Sequence, residues 1–316
     1  MKNIFITILV TNAVIFGQTI DKNYVAEKKI NGGAEKNGQY NFVTYSVKSN
    51  TGTELYQIVD KVDYDVPLAK LEVFENGSSV LISSFSGMLT FINNSGSEVS
   101  TKKIAENLSV EYERNILSVV DGESLILLLS NMKDGYSLIQ TYSSNGNLEK
   151  EVSVDVSNIN GIAFSQNLNQ IYLSFVDWQT SGKPNKLMSI INNNGNELAR
   201  LEANFENGFF TESNQFIGYS NNSLICFDGK NMVLNFQSKG EENKINIDAT
   251  YNSGKVIVAS AQEPILKDGK WLYQNPTVKQ FDLKGNLVNS KVIKSNLFSE
   301  FGFKNINGKK EFSLVE

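Results

Sequence analysis

The 316-residue chain contains no histidine, only one cysteine and only four prolines. The missing imidazole excludes Ser–His–Asp and Cys–His nucleophiles, histidine general bases and histidine-ligated metal sites. The single cysteine, Cys226, excludes an intramolecular disulfide, and its place in the apolar run Leu-Ile-Cys-Phe favours a buried side chain over a reactive thiol. Burial of apolar surface must therefore hold the fold together, and a hydrophobic content of 41% is sufficient for this.

An excess of positive charge is also missing, because the formal net charge is −5. Proteins that bind nucleic acids or anionic membranes need a basic surface, so neither kind of partner is expected. The sequence predicts a monomer that does not insert into a membrane, with a protein or a glycan as its partner.

The first 17 residues are typical of a secretory signal peptide. Lys2 precedes an apolar run that ends at Phe16-Gly17 and is shorter than the roughly 20 residues that span a bilayer. We expect cleavage after Gly17, and no cysteine at that point could carry a lipid. The interpretation is an exported protein of the periplasm, the medium or the cell surface, and its Phe-Gly-Gln ending resembles exports of the Bacteroidetes group. Residues 18–38 are interpreted as a polar lead-in that precedes the main domain, residues 39–316.

One phrase recurs along the chain: an apolar run, a polar turn with glycine, and an alternating run. Its clearest copies are TFINNSGSEVSTK (90–102), TYSSNGNLEKEV (141–152), SIINNNGNELARL (189–201) and QFDLKGNLVNSKV (280–292). Each copy predicts a β-hairpin, with type I′ turns at Asn145-Gly146 and Asn194-Gly195. The turn glycines recur about every 45 residues, which is typical of propeller blades; they are Gly52, Gly96, Gly146, Gly195, Gly229 and Gly285.

Between successive turn glycines the sequence has two apolar segments, and one of these segments contains Leu125–Leu129. A continuous apolar run indicates a strand that is covered on both faces, as in the inner strands of a propeller blade. We therefore predict an all-β, six-bladed β-propeller of four-stranded blades; a seven-bladed ring is the alternative. Five units are predicted at 68–104, 115–154, 161–203, 208–236 and 247–293. The sixth blade would join C-terminal strands A and B (301–316) to N-terminal strands C and D (40–62).

The hairpin FDLKGNLV (Phe281–Val288) resembles the repeat of six-bladed propellers of the NHL/TolB-like kind. This resemblance covers nearly the whole mature chain and implies the fold, but its motif carries no chemistry.

Propeller ligands usually bind on the face built by the B–C and D–A loops. The two longest predicted B–C loops, Phe175–Leu187 and Ala261–Pro276, contain both tryptophans of the chain. Binding residues often lie on long loops that a rigid scaffold holds in place, and tryptophan is enriched at binding sites. The predicted ligand residues are Asp177, Trp178, Glu263, Asp268, Trp271 and Tyr273. The alternative is that each tryptophan only packs its own loop. A cleft between the two loops would lie over Ser220–Ser223.

The preferred function is an exported binding or scaffold module with its ligand or protein partner on that face. The alternative is a carboxylate-based enzyme, carbohydrate-active or lactone-type, possibly dependent on Ca²⁺, which needs two carboxylates near the channel mouth. The sequence has no Asp-x-Asp-x-Asp-Gly run and its Asp-Gly pairs fit turns, so no cofactor, metal ligand or catalytic residue is predicted.

Overall fold

The structure is a computed structural model that describes residues 24–31, 41–49, 51–62, 69–83, 87–104, 116–131, 135–177, 184–240, 243–267, 270–293, 297–306 and 309–315. Every regular element in these ranges is a β-strand, and neighbouring strands pair antiparallel. None of the described elements is a helix that could cross a membrane. The predicted signal peptide lies outside the described residues.

The described strands form seven sheets that follow one another along the chain. The first sheet has three strands, β1 (Tyr24–Asn31), β2 (Asn41–Ser49) and β3 (Glu54–Val62). The second contains β4 (Ala69–Val73), β5 (Ser79–Ser83), β6 (Met88–Ile92) and β7 (Glu98–Lys103). The third contains β8 (Ile116–Asp121), β9 (Ser124–Asn131), β10 (Tyr136–Ser143) and β11 (Leu148–Val154).

The remaining sheets repeat the same order. The fourth contains β12 (Ile159–Ser165), β13 (Gln170–Asp177), β14 (Asn185–Asn192) and β15 (Glu197–Leu201). The fifth contains β16 (Asn207–Phe210), β17 (Gln215–Ser220), β18 (Ser223–Asp228) and β19 (Val233–Lys239). The sixth contains β20 (Lys244–Asn252), β21 (Lys255–Lys267), β22 (Lys270–Asp282) and β23 (Leu287–Val292). The seventh has only β24 (Glu300–Ile306) and β25 (Lys309–Val315).

The five four-stranded sheets coincide with the five predicted units, and the first strands of most successive sheets contact one another. Thus β8 contacts both β4 and β12, β12 contacts β16, and β20 contacts β24. This arrangement of four-stranded meanders side by side is that of a β-propeller.

The core lies between successive sheets, as the apolar runs predicted. Within β9, Leu125, Leu127 and Leu129 pack toward the second sheet, whereas Ile126 and Leu128 pack toward the fourth. All five side chains are at most 1% exposed. Burial of each such side chain contributes roughly 1.5–3 kcal/mol, so the inner strands account for much of the stability of this disulfide-free chain. Cys226 is fully buried in the cluster between the fifth and sixth sheets, as predicted.

The turn between the last two strands of each of the first six sheets is capped by a side-chain acceptor. In the fourth sheet, the Asn192 carboxamide oxygen accepts the backbone N–H groups of Asn194 and Asn196. A Ser, Asn or Asp oxygen accepts at least one backbone N–H in every such turn of the described chain; the acceptors are Ser49, Asn93, Ser143, Asn192, Asp228 and Asp282. These side chains favour turns for this reason.

The predicted type I′ turns are wrong. Gly195 has a φ of +82°, but Asn194 does not have a positive φ, and the N–H of Gly195 bonds to the carbonyl of Asn192 at 2.9 Å. This is a type I turn followed by a glycine bulge, which the Asn192 cap stabilises. In the fifth sheet the positive φ belongs to Met232, not to the predicted Gly229.

The structure bears on two predictions about the chain ends. β1 lies within the segment predicted to be a polar lead-in, but it is a strand that pairs with β2. The ring of Tyr24 anchors it, because this ring packs against Gly77 and the apolar cluster between the first and second sheets. The N-terminus thus contributes three strands to its sheet, where only two were predicted. In the described residues β24–β25 forms its own sheet, so the shared closing blade is not seen in the hydrogen bonding.

Candidate ligand-binding cleft

A cleft of about 170 Å³ opens between the fifth and sixth sheets. It lies at the ends of the strands where the second strand of a sheet turns into the third and where each sheet connects to the next. This is the loop face on which the sequence predicted a ligand. The Ser220–Ser223 turn contributes to the cleft, but the described residues of the predicted loop 175–187 do not line it. The cleft is lined by Glu206, Asn207, Tyr219, Ser220, Asn221, Ile245, Asn246, Ile247 and Tyr273.

Asn246 fixes the base of the cleft. Its amide donates to the carbonyls of Ser220 and Ser223, both at 3.2 Å, and its side-chain oxygen accepts the hydroxyl of Ser260 at 3.0 Å. Its backbone N–H also donates to the carbonyl of Asn221 at 2.7 Å. One residue of β20 therefore holds the turn of the neighbouring sheet by its side chain and its backbone, so this part of the cleft is pre-organised.

Ser220 is the one lining residue with a buried polar group that has no partner in the described chain. Serines near the end of the second strand in the two preceding sheets accept a backbone N–H from the connection to the next sheet: Ser130 from Asn158 and Ser174 from Phe205, both at 3.1 Å. The hydroxyl of Ser220, whose residue is only 3% exposed, makes no such bond. A buried polar group without a partner is unfavourable and is therefore uncommon. The hydroxyl of Ser220 therefore lies beside the cleft with unused hydrogen-bonding capacity.

Tyr219 forms one wall and is tied to the next sheets. Its hydroxyl donates to the carboxylate of Asp248 at 3.1 Å, and the same carboxylate accepts the backbone N–H of Phe303 at 2.7 Å. Burial, reinforced by the negative charge of Asp248, raises the pKa of Tyr219 above its ordinary value. Tyr219 is consequently a neutral hydrogen-bond donor throughout the physiological pH range.

Tyr273 forms another wall, and it comes from a region that the sequence predicted to be a loop. The predicted loop Ala261–Pro276 is wrong: β21 and β22 continue through it as a long hairpin, with Leu266 opposite Trp271. Tyr273 exchanges backbone hydrogen bonds with Phe298, and their rings stack at 5.9 Å. Because Phe298 is fully buried, it supports the Tyr273 ring from one side.

The other predicted site residues are not brought to this cleft. Asp177 ends β13 and Glu263 is exposed on β21, and neither lines the cleft. Trp178 and Asp268 lie outside the described residues, and the structure gives only the backbone of Trp271. The part of the prediction that the structure places at the cleft is therefore Tyr273 and the Ser220–Ser223 turn.

The chemistry of the lining is polar with little charge. Glu206 is its only carboxylate, and no lysine or arginine is among the described lining residues. The carboxylate pair that a glycosidase would need is thus not found in the cleft. No group of three or more Cys, Asp or Glu side chains that could hold a metal ion occurs in the described part of the chain.

Comparison with known proteins supports the fold but does not identify a function. No protein-family model matches the sequence, and no curated protein is similar to it. Among solved structures, the C-terminal WD40 domain of Sif2 is similar over 92% of this chain and 82% of its own, with a TM-score of 0.54 and 11% identity. A structure of the mitotic checkpoint complex is similar over 87% of this chain and 88% of its own, with a TM-score of 0.53 and 10% identity.

These likenesses and the repeated antiparallel sheets define the chain as a β-propeller. At 10–11% identity they show the fold alone.

Proposed function

We propose that the chain is an exported β-propeller binding module that takes its ligand in the cleft between the fifth and sixth sheets. One observation carries this proposal: the buried hydroxyl of Ser220 lines a pre-organised cleft and has no partner in the described chain. A cleft with a few convergent polar groups is the usual form of a ligand site. The similarity in fold to the WD40 domain of Sif2 supports a module of this kind.

The finer parts of the proposal rest on the sequence. The leader at residues 1–17 supports export to the periplasm or the cell surface, and the hairpin Phe281–Val288 supports a propeller of the NHL/TolB-like kind. A six-bladed ring, with the first and last sheets side by side, and a monomeric state complete the proposal. Asp177, Trp178, Glu263, Asp268 and Trp271 are proposed to contact a larger ligand or a protein partner on the same loop face, outside the cleft.

The test is a binding screen of the mature chain against a glycan array and against peptides and proteins of the native envelope. We expect a ligand whose affinity falls at least about tenfold when Asn207 and Asn221 are both changed to alanine, since two hydrogen bonds are lost. The matched control is Asn145→Ala, an exposed asparagine in the β10–β11 turn at the opposite end of the strands.

A ligand that the double variant binds as tightly as the unchanged chain would contradict the proposal. So would a screen in which every ligand binds the control and the double variant equally.

A further inference from the structure

We infer that the cleft binds a single neutral sugar ring, an inference that rests on the proposed function and names its ligand class. A sugar ring presents hydroxyl groups that donate and accept hydrogen bonds around its edge, and apolar C–H groups on its faces. The argument compares these features with the donors, acceptors, charges and rings of the cleft.

The first step is the hydroxyl of Ser220. A hydroxyl that is buried and unpartnered can both donate and accept one hydrogen bond. Another hydroxyl complements it in both directions, whereas a carboxylate or phosphate would only accept and an ammonium would only donate. This group therefore favours a ligand that carries hydroxyls.

The second step is the mixture of amides with one carboxylate. The side chains of Asn207 and Asn221 supply both donors and acceptors, and Glu206 supplies acceptors only. A vicinal pair of hydroxyls matches such groups. An anionic ligand would be repelled by Glu206, and no cationic lining residue in the described chain would compensate for this repulsion.

The third step is the aromatic wall. Tyr219 and Tyr273 both line the cleft, and each ring is fixed, the first through Asp248 and the second against Phe298. A rigid tyrosine offers apolar surface at a low entropic cost. The two tyrosines supply the small apolar part of a lining that is mainly polar, which suits a pyranose ring held chiefly by hydrogen bonds to its hydroxyls.

The fourth step is size. About 170 Å³ corresponds to the liquid volume of roughly six water molecules. This is too small for a drug-sized ligand, which fills at least about 300 Å³, and it fits one ring of a longer glycan whose other units remain outside.

The test is titration calorimetry of the full mature chain with neutral glycans chosen from the array, and with the matching uronic acids. We expect the neutral sugar to bind more tightly than its uronic acid. Ser220→Ala should weaken neutral-sugar binding about 3–10-fold without lowering the melting temperature, since the hydroxyl has no protein partner to lose. Glu206→Gln should remove the preference for the neutral sugar, and Glu75→Gln, an exposed glutamate in the β4–β5 turn, should leave it unchanged.

Uronic acids that bind as tightly as neutral sugars, or sugar binding that Ser220→Ala does not change, would overturn the inference. If no neutral glycan binds, but a peptide or protein binds and depends on Asn207 and Asn221, the sugar inference fails and the proposed binding function stands. If no ligand depends on those asparagines, both fail.

Discussion

The hydroxyl of Tyr219 donates a hydrogen bond to the carboxylate of Asp248 at 3.1 Å, joining a residue of β17 to one of β20. The same carboxylate accepts the N–H of Phe303 from β24 at 2.7 Å. Gly302 makes this approach feasible, because a Cβ atom at that position would lie 2.9 Å from the carboxylate. Three sheets thus meet at one acidic side chain.

Substitutions at this junction should destabilise the fold in a defined order. Tyr219→Phe removes one hydrogen bond and should lower the free energy of unfolding by about 0.5–1.5 kcal/mol. Asp248→Asn should lower it by about 1–3 kcal/mol, because an amide cannot accept both donors with the same strength and turns its N–H groups toward one of them. Urea unfolding of the two single variants and the double variant measures the coupling. Effects that add without coupling would show that the two residues do not act together.

The serines at the ends of β13 and β17 provide a matched pair. The hydroxyl of Ser174 donates to Asn204 at 3.1 Å and accepts the N–H of Phe205, so Ser174→Ala should lower the free energy of unfolding by about 1–3 kcal/mol. Ser220→Ala removes a hydroxyl without a partner in the described chain and should be neutral or slightly stabilising. Thermal unfolding of both variants in the absence of ligand is the measurement. Equal destabilisation would show that Ser220 has a structural partner.

The turn glycines also pack between sheets, which provides another pair. Gly195 has a φ of +82°, and a Cβ atom there would clash with a methyl carbon of Val152 in the preceding sheet. Gly52 has a φ of +86° in the equivalent turn, but a Cβ atom would meet nothing within 4 Å. Both alanine variants bear the left-handed strain of about 1–2 kcal/mol, and Gly195→Ala should lose at least about 1 kcal/mol more. Chemical denaturation of the two variants measures this difference, and equal losses would rule out the inter-sheet contact.

The turn that begins at Asp282 predicts a pH dependence. Hydrogen bonds from the side chain and backbone of Asn286, and then from Lys284, lower the pKa of Asp282 in the folded state. A lowered carboxyl pKa stabilises the fold above the unfolded value of about 3.9, and this contribution disappears as the pH falls through the folded pKa. Asp282→Asn keeps the acceptor oxygen without the charge, as Asn192 does in the fourth sheet.

Melting temperatures of the unchanged chain and of Asp282→Asn should therefore converge, or change order, when the pH is lowered from 7 to 3. The reverse substitution, Asn192→Asp, should introduce the same dependence in the fourth sheet. Parallel melting curves across this range would contradict the role of the charged cap.

The sequence predicts the inner strands well because strands that are buried on both faces have continuous apolar sequences. Leu125–Leu129 is apolar at every position since neighbouring sheets cover both faces of β9. The turn glycines mark the hairpins, but the polar residue that begins each turn is Ser, Asn or Asp in different copies. Its shared role as an acceptor becomes visible only when the hydrogen bonds are known.

The cleft was only partly predictable. The Ser220–Ser223 turn and Tyr273 stand out as polar and aromatic residues near predicted loops. Nothing in the local sequence distinguishes Ser220 from Ser174, because the difference lies in which distant N–H group each hydroxyl meets. The long β21–β22 hairpin was missed because proline and an Asp-Gly pair within residues 261–276 favour a loop, whereas strand pairing extends past them.

The cleft and the last sheet share their anchor points. Tyr273 pairs with Phe298 just ahead of β24, and Tyr219 reaches Phe303 through Asp248. A molecule bound in the cleft would therefore stabilise the contacts between the last sheet and the fifth and sixth sheets. Loss of those contacts would in turn disrupt the cleft. Ligand occupancy of the cleft and the resistance of the β24–β25 hairpin to proteolysis should therefore rise and fall together.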